Sequence, residues 1–301
     1  MAERTPLHRW LTRNLVQPLE GAVVYVLFKL LAAMPVERAS ALGGGIARAI
    51  GPHFGLSRRA RRNLERAFPE KSKPEIDRII TEMWENLGRV AAEYPHLKHL
   101  KALTPDARIE ALGLHHVDAA IARGKPIIFF GGHLANWEVA AIVAGAYGIP
   151  LNLIYRPANN PWVERMFQKG RGEIARGLIP KGAQGARAAI EKLRAGESLA
   201  ILIDQKMNDG IAVPFFGRDA MTAPALARFA LRYDCTVLPA QVERLAGVRF
   251  RLTVHSPIEI SRSDDYAADI RAIMVRVNAM LEGWIRQRPG QWLWLHRRWS
   301  D

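Results

Sequence analysis

The sequence predicts a layered α/β fold with a mostly parallel central sheet flanked by helices. After residue 105, apolar runs of strand length at 126–130, 151–155, 199–203, 236–242 and 249–254 alternate with helical stretches at 134–147, 160–176, 184–195, 222–233 and 265–287. The run Pro126-Ile127-Ile128-Phe129-Phe130 ends in the turn Gly131-Gly132-His133 and leads into a helical pattern, the joint at which open α/β sheets place their ligands. With 301 residues, 49% of them hydrophobic, the chain has ample material for one large core, and no repeat of solenoid length is visible.

The first element is apolar. Ala22 to Met34 reads as a helix, with Pro18 suited to its first turn and Pro35 ending it. This run falls short of the roughly 20 apolar residues of a membrane span and contains Lys29, which can snorkel. We therefore expect a helix lying in or dipping into the membrane interface. A tilted span reaching back to Leu15 is the alternative. Arg4, Arg9, Arg13 and Arg38 favour the cytoplasmic side. A cleaved signal peptide competes through Ala39-Ser40-Ala41, but Lys29 and Glu37 oppose it. Gly43-Gly44-Gly45 lies in a helical stretch, where close packing or membrane contact explains it better than phosphate binding. Residues 1–55 are thus expected to be a membrane-anchoring or interfacial helical segment, and residues 56–301 one catalytic domain.

Residues 56–68 form a basic helix-like stretch, read as a phosphate-facing surface or as a solvated face. Ser72 and Glu75 have capping-box spacing around Pro74 and open a helix through about Tyr94, with Ile76, Ile79, Ile80, Met83, Leu87 and Val90 on its apolar face. The last two strands, separated by Leu245-Ala246-Gly247, look like an antiparallel hairpin. Val213-Pro214-Phe215-Phe216-Gly217 is apolar yet loop-like, either an acyl-chain wall or core packing. The closing Trp292 to Trp299 joins indoles with arginines, a composition of membrane interfaces and also of aromatic stacking on nucleic acid.

The net charge of +14 points to anionic partners: nucleic acid, an anionic membrane or an acidic protein. Residues 1–66 hold eleven Lys/Arg and four Asp/Glu, hence +7, half the total. A basic nucleic-acid-binding protein explains the charge but leaves the apolar N-terminus and the Gly-Gly-His turn unexplained. A non-catalytic membrane-binding protein is a further alternative. The chain lacks both GxGxxG after its strands and GxxxxGK[ST]. The single Cys235 reads as a buried apolar residue, and no CxxC or clustered His/Cys pattern suggests zinc. We expect no cofactor, no metal and no nucleic-acid partner.

His133 and Glu138 carry the candidate chemistry. The His-x4-acid spacing occurs twice, and the second pair, His296 with Asp301, lacks the strand and glycine turn. A histidine can take the proton of an attacking alcohol. A nearby helix N-terminus would keep its ring neutral, and Glu138 could orient it or stabilise the imidazolium. The acceptor oxygen would itself be the nucleophile, so no covalent acyl-enzyme is needed. After the next strand, Arg156, Asn159 and Asn160 suit a phosphate or sugar, with an Asn-capped helix as the plain alternative. Arg165, Lys169, Arg171 and Arg176 load the helix that follows. Asp204 and Gln205 end another strand and are expected at the same sheet edge.

Taken together, these segments resemble the lipid A biosynthesis lauroyl/myristoyl acyltransferase family. The matching pieces, in order, are Asn63-Leu64 with Ala67-Phe68-Pro69-Glu70, the Gly-Gly-His-x4-Glu box, Tyr155-Arg156-Pro157 with Asn159-Asn160, Lys169-Gly170-Arg171, Asp204-Gln205, Val213 to Gly217, and Trp294-Leu295-His296-Arg297-Arg298. The resemblance implies a glycerol-phosphate-acyltransferase-like fold on the cytoplasmic face of the bacterial inner membrane. It implies transfer of a fatty acyl group from acyl carrier protein to a hydroxyl of a phosphorylated lipid A precursor. It makes His133 and Glu138 the catalytic box, Arg171 an oxyanion or phosphate contact and Asp204 a further site residue. Arg156, Asn159, Asn160 and Gln205 become substrate-binding candidates. The box is shared by enzymes acting on lysophospholipids, ornithine lipids and phosphatidylinositol mannosides, which stand as alternative acceptors.

Overall fold

A computed structural model describes residues 10–299. Arg4, Arg9 and Asp301, named above, lie outside the described residues. A seven-stranded sheet runs in the order β1-β9-β8-β2-β5-β3-β4. Its strands are β1 (Ile109–Leu112), β2 (Ile127–Gly131), β3 (Leu151–Tyr155), β4 (Gly177–Pro180), β5 (Ser198–Leu202), β8 (Thr236–Ala246) and β9 (Arg249–Val254). Every neighbouring pair is parallel except β8 and β9, the expected hairpin. A separate antiparallel pair joins β6 (Lys206–Phe215) to β7 (Arg218–Thr222).

β2 is the central strand. Paired on both sides and covered on both faces, it needs an uninterrupted apolar run rather than an alternating one. The pleat still sorts its side chains. Ile128 and Phe130 enter one core with Ile80, Met83, Leu281 and Trp292, while Ile127 and Phe129 enter the other with Val139, Ile142, Leu238 and Leu252.

The helices follow the expected pattern with shifted ends. Beyond the sheet connections they include α3 (Ser57–Ala67) and α4 (Lys73–Glu93), and α4 opens with the Ser72–Glu75 capping box. Its face Ile76, Ile79, Ile80, Met83 and Val90 is buried. α2 (Val36–Ile50) packs along α4 where Gly43 meets Gly88: a Cβ on Gly43 would stand 2.6 Å from the Gly88 carbonyl oxygen. The glycine run thus serves close helix contact.

The N-terminal helix is longer than expected. A π-helical turn at Thr12–Val16 runs into α1 (Gln17–Ala32), so Pro18 lies well inside the rod. Thr12–Ala32 spans 21 residues with a mean hydropathy of 1.6, and at about 1.5 Å per residue it matches the roughly 30 Å hydrocarbon core. Leu19, Val23, Val26 and Leu30 are exposed, and Gly21 is the single buried residue of α1. Such a helix, apolar on its exposed sides, associates with a membrane. Gly21 packs on Trp162, where a Cβ would lie 2.5 Å from the Trp162 Cβ, and α1 therefore docks on α7 (Pro161–Gly172).

Two expectations for the C-terminal half are corrected. Val213–Phe215 is strand rather than loop, and Phe215 and Phe216 are buried against Trp292, Trp294, Trp299 and Phe68. Those tryptophans are 0–5% exposed, which removes them both from a membrane interface and from stacking on bases. An aromatic cluster next to a two-stranded sheet is best hidden inside, and the indole N–H groups find carbonyl or carboxylate partners there.

Candidate active site

Register brings the first two site residues together. β2 and β5 are parallel neighbours with Gly131 opposite Leu202. His133 and Asp204, each two residues further on, therefore emerge side by side at the carboxyl edge of the sheet. Ile203 N–H donates to the Gly131 carbonyl (3.1 Å) and ties the two strand ends. Gly132 permits the approach: a Cβ there would meet Leu281 at 2.6 Å and Asp204 Oδ2 at 3.2 Å.

Asp204 is wholly buried, and its carboxylate is filled by N–H donors. Oδ1 faces His133 Nδ1 at 2.7 Å; Oδ2 accepts from the His133 backbone N–H (2.7 Å) and from the Trp292 indole (2.8 Å). Burial acts to raise its pKa, but the charge and hydrogen bonds of His133 prevail and hold the carboxyl well below the usual range. An ionised carboxylate only accepts, so Nδ1 carries a proton, and in the neutral ring Nε2 then presents its lone pair. Among the described residues nothing hydrogen-bonds Nε2.

Glu138 has a different partner from the one expected. Its carboxylate accepts from Arg171 Nε (3.0 Å to Oε1) and Nη2 (2.7 Å), and from the Trp137 indole (3.2 Å). Orientation of the imidazole, assigned above to Glu138, falls to Asp204. The helix after the box, α6 (Val139–Ala146), begins only at residue 139. The box is a turn, with Ala135 in the left-handed region (φ 50°), so no helix N-terminus lies at His133 and the helix-terminus argument lapses. Arg171, on α7, stacks over the Tyr155 ring at 5.4 Å. Burial lowers its pKa, but the charge and hydrogen bonds of Glu138 more than compensate and push it up. The Glu138–Arg171 pair borders a cavity of about 60 Å³ walled by Phe129, Leu153, Ala200 and Ala240.

The other candidates sit apart. Asn160 caps α7 through its side-chain oxygen (2.9 Å from Trp162 N), and its amide donates to Gln17 O (2.9 Å) and Glu20 (3.1 Å) of α1. It therefore holds the membrane helix to the domain. The Asn159 carbonyl accepts from Gln17, while its side chain accepts from Arg156 (3.2 Å), which is exposed. Gln205 accepts from Lys181 (2.9 Å). Cys235 is buried, its thiol pushed up to about 12 mainly by burial, and is inert as a nucleophile.

His296 is the residue that sequence reasoning passed over. Its ring lies 4.9 Å from that of His133, and His133, Asp204 and His296 offer atoms within 4.8 Å of one another. The three are the right types for a metal, but the Asp204 oxygens are already occupied by N–H groups of His133 and Trp292, with the His296 ring alongside. The His296 Nε2 is buried without a partner, and burial, then the neighbouring His133, depress its pKa to about 4. Its loop is pinned by Asn63, whose amide donates to the Trp294 and His296 carbonyls (2.9 and 3.0 Å). The available signal was its place in the closing Trp-Leu-His-Arg-Arg segment, not its spacing to an acid.

The profile of a family described as bacterial lipid A biosynthesis acyltransferase matches residues 11–301, almost the whole chain. The chain belongs to that family. It is an acyltransferase of lipid A biosynthesis. A lipid A biosynthesis acyltransferase of Haemophilus influenzae is 26% identical over 275 residues, covering 88% of this chain and 83% of the relative. The lipid A biosynthesis palmitoleoyltransferase of Escherichia coli is 26% identical over 249 residues (79% and 77%), and the lauroyltransferase of the same organism 26% over 253 residues (81% and 79%). The acyltransferase thus places a histidine–aspartate pair and a glutamate–arginine pair at one edge of its sheet.

Proposed function

We propose that the enzyme transfers a fatty acyl group from an acyl-carrier-protein thioester to a hydroxyl of a phosphorylated lipid A precursor, on the cytoplasmic face of the inner membrane. His133 is the general base. Its Nε2 takes the proton of the acceptor hydroxyl as that oxygen attacks the thioester carbonyl, and Asp204 stabilises the imidazolium that forms. The tetrahedral intermediate collapses with expulsion of the thiolate, and the imidazolium returns the proton to the sulfur. No covalent acyl-enzyme forms, because the acceptor oxygen is the nucleophile. The observation that carries this reading is the 2.7 Å contact between His133 Nδ1 and a buried, ionised Asp204, which leaves Nε2 free.

Glu138 and Arg171 form the second half of the site. A guanidinium held beside the box supplies charge for the developing oxyanion, and Glu138 fixes its direction. The neutral His296, with its unpaired Nε2, is positioned to meet a hydroxyl or oxyanion between the two histidines. The apolar cavity beside the ion pair suits part of an acyl chain. Residues 1–55 are taken as the anchoring segment, α1 crossing or embedded in the bilayer, and residues 56–301 as the catalytic domain. The +14 charge suits both an acidic carrier protein and lipid phosphates. Arg156 and Gln205, near the strand ends, are the contacts we assign to the acceptor headgroup.

Purified enzyme incubated with a lipid A precursor and acyl-carrier-protein thioesters, with products read by mass spectrometry, tests the assignment. One added acyl group is expected with the native chain and none with His133→Ala. Acylation only of a lysophospholipid or ornithine lipid would replace the acceptor, and unimpaired turnover by the variant would remove the base.

A further inference from the structure

Behind the catalytic turn lies a buried polar network that the reaction itself does not use. Its hub is Glu93, the last residue of α4 and wholly buried. Oε1 accepts from Arg244 Nη1 (2.5 Å) and Ser40 Oγ (2.7 Å); Oε2 accepts from Arg244 Nη2 (3.0 Å) and Asn136 Nδ2 (2.9 Å). Arg244 Nε donates to Asn86 Oδ1 (2.9 Å), and the Asn86 amide donates to the Ala135 carbonyl (3.0 Å). Asn136 Oδ1 in turn accepts the backbone N–H of Glu138 (3.3 Å).

Three separate elements therefore converge on one turn: α2 through Ser40, α4 through Asn86 and Glu93, and β8 through Arg244, meeting the turn at Asn136 and the Ala135 carbonyl. The grip falls on the strained part. Ala135 has φ 50°, a conformation that costs on the order of 1–3 kcal/mol in a non-glycine residue unless its surroundings enforce it. Burying a carboxylate and a guanidinium is expensive, and replacing such a pair by apolar residues is often neutral or stabilising. Stability alone is a weak reason for this arrangement. A fully satisfied buried network does, however, define one geometry.

We propose that Glu93, Arg244, Asn86 and Asn136 are positioning residues that hold the His133–Glu138 turn in its reactive shape, with Ser40 extending the network to the helix that follows the membrane anchor. This rests on the acyl-transfer reading above and adds to it a structural requirement outside the site. A displacement of the turn by about 1 Å would pull His133 from Asp204 and Glu138 from Arg171 and cost on the order of 100-fold in rate.

The test uses the full-length enzyme and two readouts: steady-state kinetics, and hydrogen–deuterium exchange of the peptide covering 131–138. Glu93→Gln and Asn136→Asp each spoil the donor–acceptor match. Together they restore the 93–136 contact reversed, the amide of the first donating to the carboxylate of the second, while Arg244 Nη2 still lacks its acceptor. Each single variant is expected to exchange faster at 131–138 and to lose about 100-fold in kcat with both KM values within about two-fold. The double variant is expected to recover part of both losses, a non-additivity that residues of one hydrogen-bonded network show and independent sites do not. Single variants with native exchange and native kcat would overturn the proposal, as would losses confined to KM. If both single variants unfold, Ser40→Ala decides, since it removes one neutral donor: faster exchange limited to the turn together with a lower kcat supports the network, and native values in both overturn it. If the native enzyme transfers no acyl group, the acyl-transfer reading fails, and the exchange measurements judge the network separately.

Discussion

Nδ1 of His133 lies 2.7 Å from Oδ1 of Asp204, across 71 residues of sequence. The contact arises because β2 and β5 end level with each other in a parallel pair, with Gly131 opposite Leu202. It makes Asp204, rather than the nearby Glu138, the group that orients the His133 ring.

Asp204→Asn keeps the shape and removes the charge. The imidazolium loses its counter-ion, and an amide turned toward Nδ1 favours the wrong tautomer. A fall in kcat of about 10³–10⁴-fold is expected from initial rates, with a folded protein by circular dichroism. A loss below ten-fold would return the orienting role to Glu138.

Trp292→Phe removes the indole donor to Asp204 Oδ2 (2.8 Å) and leaves the aromatic core largely filled. Loss of one hydrogen bond to a buried carboxylate costs about 1–3 kcal/mol, read as a lower melting temperature; an unchanged melt would contradict the contact.

Arg171→Lys retains charge but loses the paired Nε and Nη2 contacts to Glu138. We expect kcat to fall at least as much as with Glu138→Gln. Arg171→Ala, which strands a buried carboxylate, should also destabilise by about 3–5 kcal/mol. A native melting temperature for the alanine variant would contradict the burial of this pair.

Acid should destabilise the fold partly through His296. Its folded pKa, about 4, lies below the ordinary value of 6.5, so between these values the unfolded chain holds the extra proton. The contribution is complete above pH 6.5 and is lost as pH falls toward 4, on the order of 3 kcal/mol. Asp204, also depressed, acts in the same direction at lower pH. Melting temperatures of His296→Gln should depend less on pH between 4 and 6.5 than those of the native enzyme; parallel curves would refute the assignment.

Deleting residues 1–34 removes α1 and its contacts with Asn160 and Trp162. The truncated chain is expected in the soluble fraction after membrane sedimentation. Unchanged sedimentation would move the anchor elsewhere.

Composition, periodicity and motif order settled the layered α/β class, the β8–β9 hairpin, the capped helix at 73–93, the family and the prominence of His133. The elements among these are local, since a buried parallel strand must be continuously apolar and a capping box needs only four residues, while the family rests on the order of the motifs along the chain. Tertiary structure decided the pairing. Which carboxylate meets the imidazole depends on strand register, which nothing near residue 133 encodes. The same holds for His296, brought to the site by Asn63 from a distant helix, and for the C-terminal tryptophans, whose composition fits a membrane surface as well as a core. Asn160 fitted a phosphate or sugar contact and a helix cap equally, and it is the cap, tied also to the N-terminal helix. A side chain's chemistry is written in its type, but its partner is set by which strand ends and helix faces the closed core forces together.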